Sequence, residues 1–172
     1  DLLAGGATAA QAMAQLVAAT PDRGWRQLAL IDRAGGTALF TGANVRATVS
    51  AAEGADCAAL GNILRSDQVA PAMVASFTAD AARPLADRLL RAILAGEAAG
   101  GETAAIQSAA LLVVDRESFP YVDLRVDDHL APLAELARLW ALYAPLAEDY
   151  VLRATAPGRA AAYVPPPPRP PS

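Results

Sequence analysis

The chain has 172 residues, of which 54% are apolar and 19% are charged. This length allows one buried core and is too short for two typical domains. The net charge of -4, with arginines dispersed among acidic residues, leaves no basic stripe that could neutralise nucleic-acid phosphates. The longest apolar run, AALLVV, is far shorter than the roughly 20 residues of a membrane-spanning helix. We therefore expect a soluble protein that binds neither nucleic acid nor membrane.

The first half of the chain predicts one helix followed by two strand pairs. In GGATAAQAMAQLVAATPD, Thr8 and Gln11 have the spacing of a capping box, and Pro21 ends the apolar periodicity. The runs RQLALID and TALFTG, separated by RAGG, predict a hairpin. The runs VRATVS and CAALGNIL, separated by AAEGAD, predict a second pair of strands.

The second half predicts two helices, a further strand pair and a closing helix. Ser66 and Asp67 favour a cap ahead of QVAPAMVASFTA, and PLADRLLRAILAGEAAGG has proline at its start and glycines after its end. The run QSAALLVVD is apolar at successive positions, which is typical of a strand covered on both faces. YVDLRVDD alternates instead, with Val122, Leu124 and Val126 facing one way. PLAELARLWALYAPL closes the predicted fold as a helix with an apolar face.

This order of elements predicts an α+β fold in which antiparallel β-sheets are covered by helices. We assign residues 1–155 to this domain. Residues 156–172 are predicted to be a proline-rich disordered tail, because six of the last eight residues are proline and cannot build a core.

Several chemistries are excluded by residues that the sequence lacks. Cys57 is the single cysteine, so an internal disulfide and a multi-cysteine zinc site are both excluded, and a reducing, cytoplasmic setting is expected. The absence of lysine excludes a Walker phosphate-binding lysine and Schiff-base chemistry. We expect neither a cofactor nor a metal. The alanine-rich, arginine-only composition is typical of a GC-rich bacterial genome.

The most highly charged stretch is VDLRVDDHL, which contains the single histidine. Asp123, Arg125 and Asp127 share one strand face, where they would orient a polar substrate group or form an exposed ion-pair network. His129 beside Asp128 is an oriented base, a lone metal ligand, or a helix-entry or surface residue. Cys57, at a strand start, fits a small buried hydrophobe.

Two other stretches place polar side chains beside predicted strands. In LGNIL, the glycine permits close backbone approach and the Asn62 amide could donate to a developing oxyanion; the alternative is a Gly-Asn turn. Gln107 and Ser108 stand at the mouth of the apolar strand, where they would either serve a site or satisfy local backbone groups.

Taken together, four stretches resemble a known family. LLAGGATAAQAMAQLVAATPDRGWRQLALIDRAGGTALFTG, GNILRSDQVAPAM, AGGETAAIQSAALLVV and DLRVDDH, in this order, are similar to the bacterial and archaeal family called domain of unknown function 1028. The resemblance covers Asp1 to about Leu146. It implies membership of the N-terminal nucleophile (Ntn) hydrolases, a four-layer αββα sandwich, and hydrolysis of an unidentified small amide or peptide-like substrate. Asn62, Gln107 and Asp123 would be the helper residues in this chain.

The sequence departs from the family pattern at three places. Family members begin with strands that carry a terminal threonine or serine nucleophile, and this region has no counterpart ahead of Asp1. Leu60 stands where the family tends to have glutamine, and TAAI stands where it tends to have arginine and glycine before Gln107. We therefore expect the carboxy-terminal portion of an amidohydrolase, inactive as given because its nucleophile is missing.

Two alternatives to the hydrolase remain open at this point. One is a catalytically inactive binding or assembly domain of the same fold, which Leu60 and Ile106 would suit. The other is a fimbrial or surface subunit, which the lone cysteine and the helix-rich pattern disfavour. We expect the domain to associate with itself, as a homo-oligomer, or with its missing portion, since a sheet without its first strands exposes an edge and an apolar face.

Overall fold

The structure, a computed structural model, describes residues 2–162. Within these residues the helices are Ala9–Ala19 (α1), Val69–Thr78 (α2), Leu85–Ala98 (α3), Pro132–Tyr143 (α4) and Ala147–Thr155 (α5). The strands are Gln27–Ile31 (β1), Thr37–Thr41 (β2), Thr48–Gly54 (β3), Cys57–Leu64 (β4), Ala109–Val113 (β5) and Val122–Val126 (β6). The predicted order from the first helix to α4 is confirmed, and so is the mixed α+β class. The sequence did not predict α5.

Each hairpin forms its own two-stranded antiparallel sheet among the described residues. β1 pairs with β2, β3 with β4, and β5 with β6. The β3–β4 hairpin is longer than predicted, because β3 continues through the alanines to Gly54 and leaves only Ala55 and Asp56 in the turn. Alanine is a weak strand former, so its run gave no strand signal in the sequence.

The amino terminus of α1 is capped twice, once locally and once from a distant turn. The predicted capping box is confirmed, since the Thr8 side chain accepts from the Gln11 N–H and the Gln11 side chain accepts from the Thr8 N–H. In addition, Asp32 in the β1–β2 turn accepts from the Ala9 N–H at 2.9 Å. The same carboxylate accepts from the Ala34 and Gly36 N–H groups. Asp32 thus joins the hairpin turn to the start of the helix.

We expect Asp32→Asn to lower the free energy of unfolding at neutral pH, and to lower it less as the pH falls. The hydrogen bond from the Ala9 N–H is the largest cause that holds the pKa of Asp32 below its ordinary value. Its stabilising contribution is therefore present above the unfolded pKa of about 4 and is lost as the pH falls through the folded value. Urea unfolding at a series of pH values measures the difference.

Asp128→Asn is the matched control, because the Asp128 carboxylate is exposed and makes no hydrogen bond with any residue that the structure describes. A pH-independent difference between wild type and Asp32→Asn would show that the Asp32 carboxylate does not have this role.

The start of α2 is capped from β3. The sequence predicts Ser66 as the cap and Asp67 as a first-turn acid, and Ser66 does accept from the Gln68 N–H at 3.0 Å. The helix itself, however, is capped by Ser50, whose hydroxyl accepts from the Ala70 N–H at 3.0 Å and donates to the Asp67 carbonyl. Ser50 is only 4% exposed. A buried hydroxyl needs such partners, and here they join β3 to α2.

Helices α2 and α3 pack closely where α3 has a glycine. A Cβ at Gly96 would lie 2.8 Å from Met73 Cγ and 3.3 Å from Val69 Cγ1, so a side chain there would force the helices apart. Helix α3 ends as predicted. Gly101 has a φ of 58°, and its N–H donates to the Gly96 carbonyl.

The largest core lies between the β5–β6 sheet and helices α3 and α4. Its buried members are Ala86, Leu90, Leu111, Val113, Val122, Val126, Leu136 and Trp140. The predicted alternation of β6 is confirmed, since Val122 and Val126 are buried and Asp123 and Arg125 are exposed. The Trp140 indole donates to the Asp87 carboxylate and so joins α4 to α3.

The prediction that β5 is covered on both faces is wrong. Leu111 and Val113 are buried, but Leu112 is 59% exposed and Val114 is 68% exposed. No described element covers the outer face of β5–β6, where Leu112 pairs with Asp123 of β6. An apolar sequence run identifies a strand, but it does not establish that the chain has material to cover both faces.

Beyond α4, the described chain packs back through α5. The Tyr121 hydroxyl donates to Glu148 at 2.9 Å, and burial and the Glu148 carboxylate raise the pKa of Tyr121 to about 12. Asp149 accepts from the Ala161 N–H. Residues 156–162, predicted to belong to the tail, therefore contact α5, and the rest of that tail lies outside the described residues. Over residues 2–162, no helix has the length and apolar character to cross a membrane.

Candidate functional site

An open groove of about 790 Å³ lies between the end of β4, the end of α3, residues 104–110 and the start of α4. Most of its wall is apolar. The polar side chains that line it are those of Asn62, Arg65, Glu97, Glu102 and Ser108. This combination of an apolar wall with a few polar groups is typical of small-molecule sites.

The backbone is irregular where Asn62 enters the groove. Ser50 pairs with Gly61 and Thr48 pairs with Leu64, so the two residues Asn62 and Ile63 lie opposite one residue of β3. This is a β-bulge, which can redirect a side chain next to a site. Ile63 has a φ of 58°, a conformation that costs a residue other than glycine about 1–3 kcal/mol. Strain of this kind is often found at functional sites.

Two hydrogen bonds to the Ile63 backbone hold this strained conformation. The Ile63 N–H donates to the Arg46 carbonyl at 3.4 Å, and the Ile63 carbonyl accepts from the Thr103 N–H at 2.9 Å. The Arg65 guanidinium donates to the Glu102 carbonyl at 2.6 Å and to the Thr103 carbonyl at 3.0 Å. The end of β4 and residues 102–103 therefore form one hydrogen-bonded wall of the groove.

The Asn62 side chain is exposed and bonded to a residue that the sequence did not single out. Its Nδ2 donates to Gln27 Oε1 at 3.3 Å. Gln27 Nε2 in turn donates to the Gly61 carbonyl at 3.1 Å and to the Ser50 carbonyl at 3.3 Å. Gln27 begins β1, and its side chain is half-buried. A polar residue at the start of an apolar strand does not by itself reveal such a partner, so the sequence contains no signal for this role.

Gln107 lies at the edge of the groove, between two residues that line it. Ile106 and Ser108 line it, whereas Gln107 is exposed and is not part of the lining. The Gln107 carbonyl accepts from the His129 N–H at 2.9 Å. The backbone of Gln107 thus supports the segment that leads into α4.

Asp123 lies on the outer face of β5–β6 and outside the groove lining. Arg125 makes its ion pair with Asp127 at 2.8 Å and none within 4 Å with Asp123, so the exposed ion-pair network predicted from the sequence includes only one of the two carboxylates. The hydrogen bond that Arg125 donates to Asp127, with a smaller contribution from the more distant Asp123, raises the pKa of Arg125. These charges form an exposed face, the alternative that the sequence left open.

His129 lies just before α4 and forms a hydrogen bond with the backbone at the start of that helix. Its Nδ1 accepts from the Ala131 N–H at 3.0 Å, one residue before the helix begins. The Nδ1 atom is thus engaged by the backbone, and His129 lies outside the groove lining. The interpretation of His129 as a helix-start residue is confirmed.

Cys57 is buried against Phe77 and Ala92, as expected for a small hydrophobe. Burial raises the pKa of its thiol, which disfavours the reactive thiolate. Among residues 2–162, no three histidine, cysteine or acidic side chains lie close enough to hold a metal ion.

The groove presents the Asn62 amide as a hydrogen-bond donor. Among the described residues that line it, no basic side chain is hydrogen-bonded to a nucleophilic one. Ser108 is the one hydroxyl side chain of the described lining, and His129 is outside that lining. The Asn62 Nδ2 has two hydrogens, one of which Gln27 occupies. The other can donate to a carbonyl or oxyanion bound in the groove.

Comparison with known proteins identifies a family and a similar structure. A sequence model of a family of unknown function (DUF1028) matches residues 1–136. The structure is similar to the crystal structure of protein SPO2555 from Silicibacter pomeroyi, described as a DUF1028 protein, with a TM-score of 0.71 and 32% sequence identity. The match covers 81% of this chain and 61% of SPO2555, so this chain spans less than two thirds of that protein. No protein with a curated description matches the chain.

Proposed function

Because the chain belongs to the DUF1028 family, we propose that it forms the carboxy-terminal side of an amide-hydrolysing site of the Ntn type. In this proposal the nucleophile lies upstream of Asp1, and the complete protein adopts the four-layer αββα sandwich. The substrate is a small amide or peptide-like molecule that binds in the groove between β4 and α4.

The observation that supports this proposal is the position of Asn62. Its amide lies at a β-bulge, beside the strained Ile63, in an apolar-walled groove. A preorganised amide donor in such a groove is the kind of group that stabilises the oxyanion of acyl transfer. This proposal gives no role to Gln107 and Asp123, because both lie outside the groove lining.

The reaction follows from the roles of these groups. The terminal hydroxyl or thiol attacks the amide carbonyl and loses its proton to the chain's own α-amine, and the Asn62 Nδ2 donates to the oxyanion. The C–N bond then breaks, and the leaving amine takes that proton. Water attacks the resulting ester or thioester, releases the acid and restores the nucleophile.

The test uses the full-length gene product and measures amine release from a panel of small acyl amides. We expect hydrolysis by the protein with its native processed amino terminus. We expect none when one extra residue is retained ahead of the nucleophile, because the α-amine is then displaced from the hydroxyl. Hydrolysis that survives this extension would contradict the proposal, as would a full-length protein that has no terminal serine, threonine or cysteine.

A second candidate function, assembly, is favoured by the outer face of β5–β6. Leu112 and Val114 are exposed there beside both signs of charge, with Arg125 next to Asp123. A face with positive and negative charges around exposed apolar side chains can be complementary to the same face of a second copy related by a twofold axis. The partner we propose is therefore a second copy of this chain. Sedimentation equilibrium of the chain should show a dimer. A monomer at all concentrations would contradict this candidate.

A further inference from the structure

We infer that Gln27 is a positioning residue, which orients the Asn62 amide so that an N–H faces the groove. This inference rests on the proposed function, in which Asn62 donates to the oxyanion. Gln27 lies on β1 and is absent from the groove lining. It would therefore act through Asn62 and not on the substrate.

The orientation of the Gln27 amide is determined mainly by two backbone carbonyls, and Nε2 also lies 3.4 Å from the Thr41 hydroxyl oxygen, which can accept from it. Its Nε2 donates to the Gly61 carbonyl at 3.1 Å and to the Ser50 carbonyl at 3.3 Å. Both are acceptors only, and these two residues are the last regular pair of β3–β4 before the bulge. A reversed amide would place Oε1 against two carbonyl oxygens, which is repulsive. Gln27 must therefore direct Oε1 elsewhere.

That oxygen is directed at Asn62. Since Gln27 Oε1 only accepts, Asn62 must present Nδ2 to it, and their distance is 3.3 Å. A reversed Asn62 would bring two amide oxygens together. The terminal torsion of an exposed asparagine is otherwise broad and roughly twofold, so without Gln27 the amide would populate both orientations. Gln27, which is itself oriented by the backbone of β3–β4, thus orients the Asn62 amide in the groove.

The first experiment is a double-mutant cycle in the full-length protein, with kcat and KM measured for amide hydrolysis. We expect Gln27→Met, which conserves volume and removes the amide, to lower kcat by about 10-fold with KM within about twofold. In an Asn62→Ala background the same substitution should cause no further loss, because its effect passes through Asn62. Gln15→Ala, at an exposed position on α1, is the control and should leave kcat unchanged.

An equal loss of kcat in both backgrounds would overturn the inference, because Gln27 would then act on the fold. Unchanged kcat in Gln27→Met would also overturn it if Asn62→Ala is impaired. If Asn62→Ala itself keeps full activity, the proposed oxyanion role fails instead, and the orientation of the Asn62 amide is decided by the second experiment.

The second experiment requires no activity and uses the 172-residue chain. The two side-chain amide protons of Asn62 are observed by nitrogen-15 NMR. The two protons give separate signals in either orientation, because rotation about the amide C–N bond is slow. We expect Asn62 shifts displaced from those of a free asparagine in the wild type and in Gln15→Ala, and shifts close to those of a free asparagine in Gln27→Met. Unchanged Asn62 shifts in Gln27→Met would overturn the positioning role whatever the kinetics show.

Discussion

Asn62→Ala in the full-length protein is expected to lower kcat for amide hydrolysis by about 10² or more, as for the removal of one oxyanion donor. The Asn62 side chain is exposed on β4, so the free energy of unfolding should change by no more than about 0.5 kcal/mol. The loss would therefore reflect transition-state stabilisation and not misfolding. Steady-state kinetics and urea unfolding of the same preparations measure both quantities.

Two further variants sharpen this prediction. Asn62→Asp keeps the shape but replaces the donor with a negative carboxylate, so kcat should fall at least as far as in Asn62→Ala. His129→Ala should leave kcat nearly unchanged, since the His129 imidazole accepts from the Ala131 N–H and lies outside the groove lining. An inactive His129→Ala together with an active Asn62→Ala would place the centre in VDLRVDDHL and contradict the proposal.

Trp140→Ala is expected to lower the free energy of unfolding by about 3–5 kcal/mol, the usual cost of emptying a buried aromatic position. Trp140 is 7% exposed and packs in the core between α4 and the β5–β6 sheet. The variant also removes the indole hydrogen bond to Asp87, so α4 loses a direct connection to α3. Since domains are stable by only about 5–15 kcal/mol, the variant should unfold at much lower urea.

Leu142→Ala, on the same helix, is the matched control for this prediction. Leu142 is 56% exposed, so its truncation should change the free energy of unfolding by no more than about 0.5 kcal/mol. Circular dichroism during urea titration follows both variants. Equal midpoints for Trp140→Ala and wild type would show that α4 does not cover β5–β6 as described.

Local signals in the sequence were sufficient for the elements and for several side-chain roles. The Thr8–Gln11 capping box, the glycines after α3 and the alternation of β6 depend on residues near each other in the chain, and the structure confirms all three. The same reasoning offered the helix-start position of His129 as one of its alternatives, because the partner Ala131 is only two residues away.

Features that depend on distant residues could not be predicted in this way. The Ser50 cap of α2 crosses 20 residues, and the Asp32 bond to Ala9 crosses 23 residues. The Gln27–Asn62 bond crosses 35 residues. No local pattern encodes such pairs, because a single polar residue has the same propensity whether or not a partner lies across the fold.

The sequence by itself determined the α+β class and the order of the elements from α1 to α4, since periodicity, caps and turn residues are local. The family came from the resemblance of four stretches to a known family, which the family model confirms. Only the tertiary structure decided that the outer face of β5 is exposed and that Asn62 lies in a groove with its amide held by Gln27. The physical reason is that burial and hydrogen-bond partnership are properties of two surfaces brought together. One stretch of sequence describes only one of those surfaces.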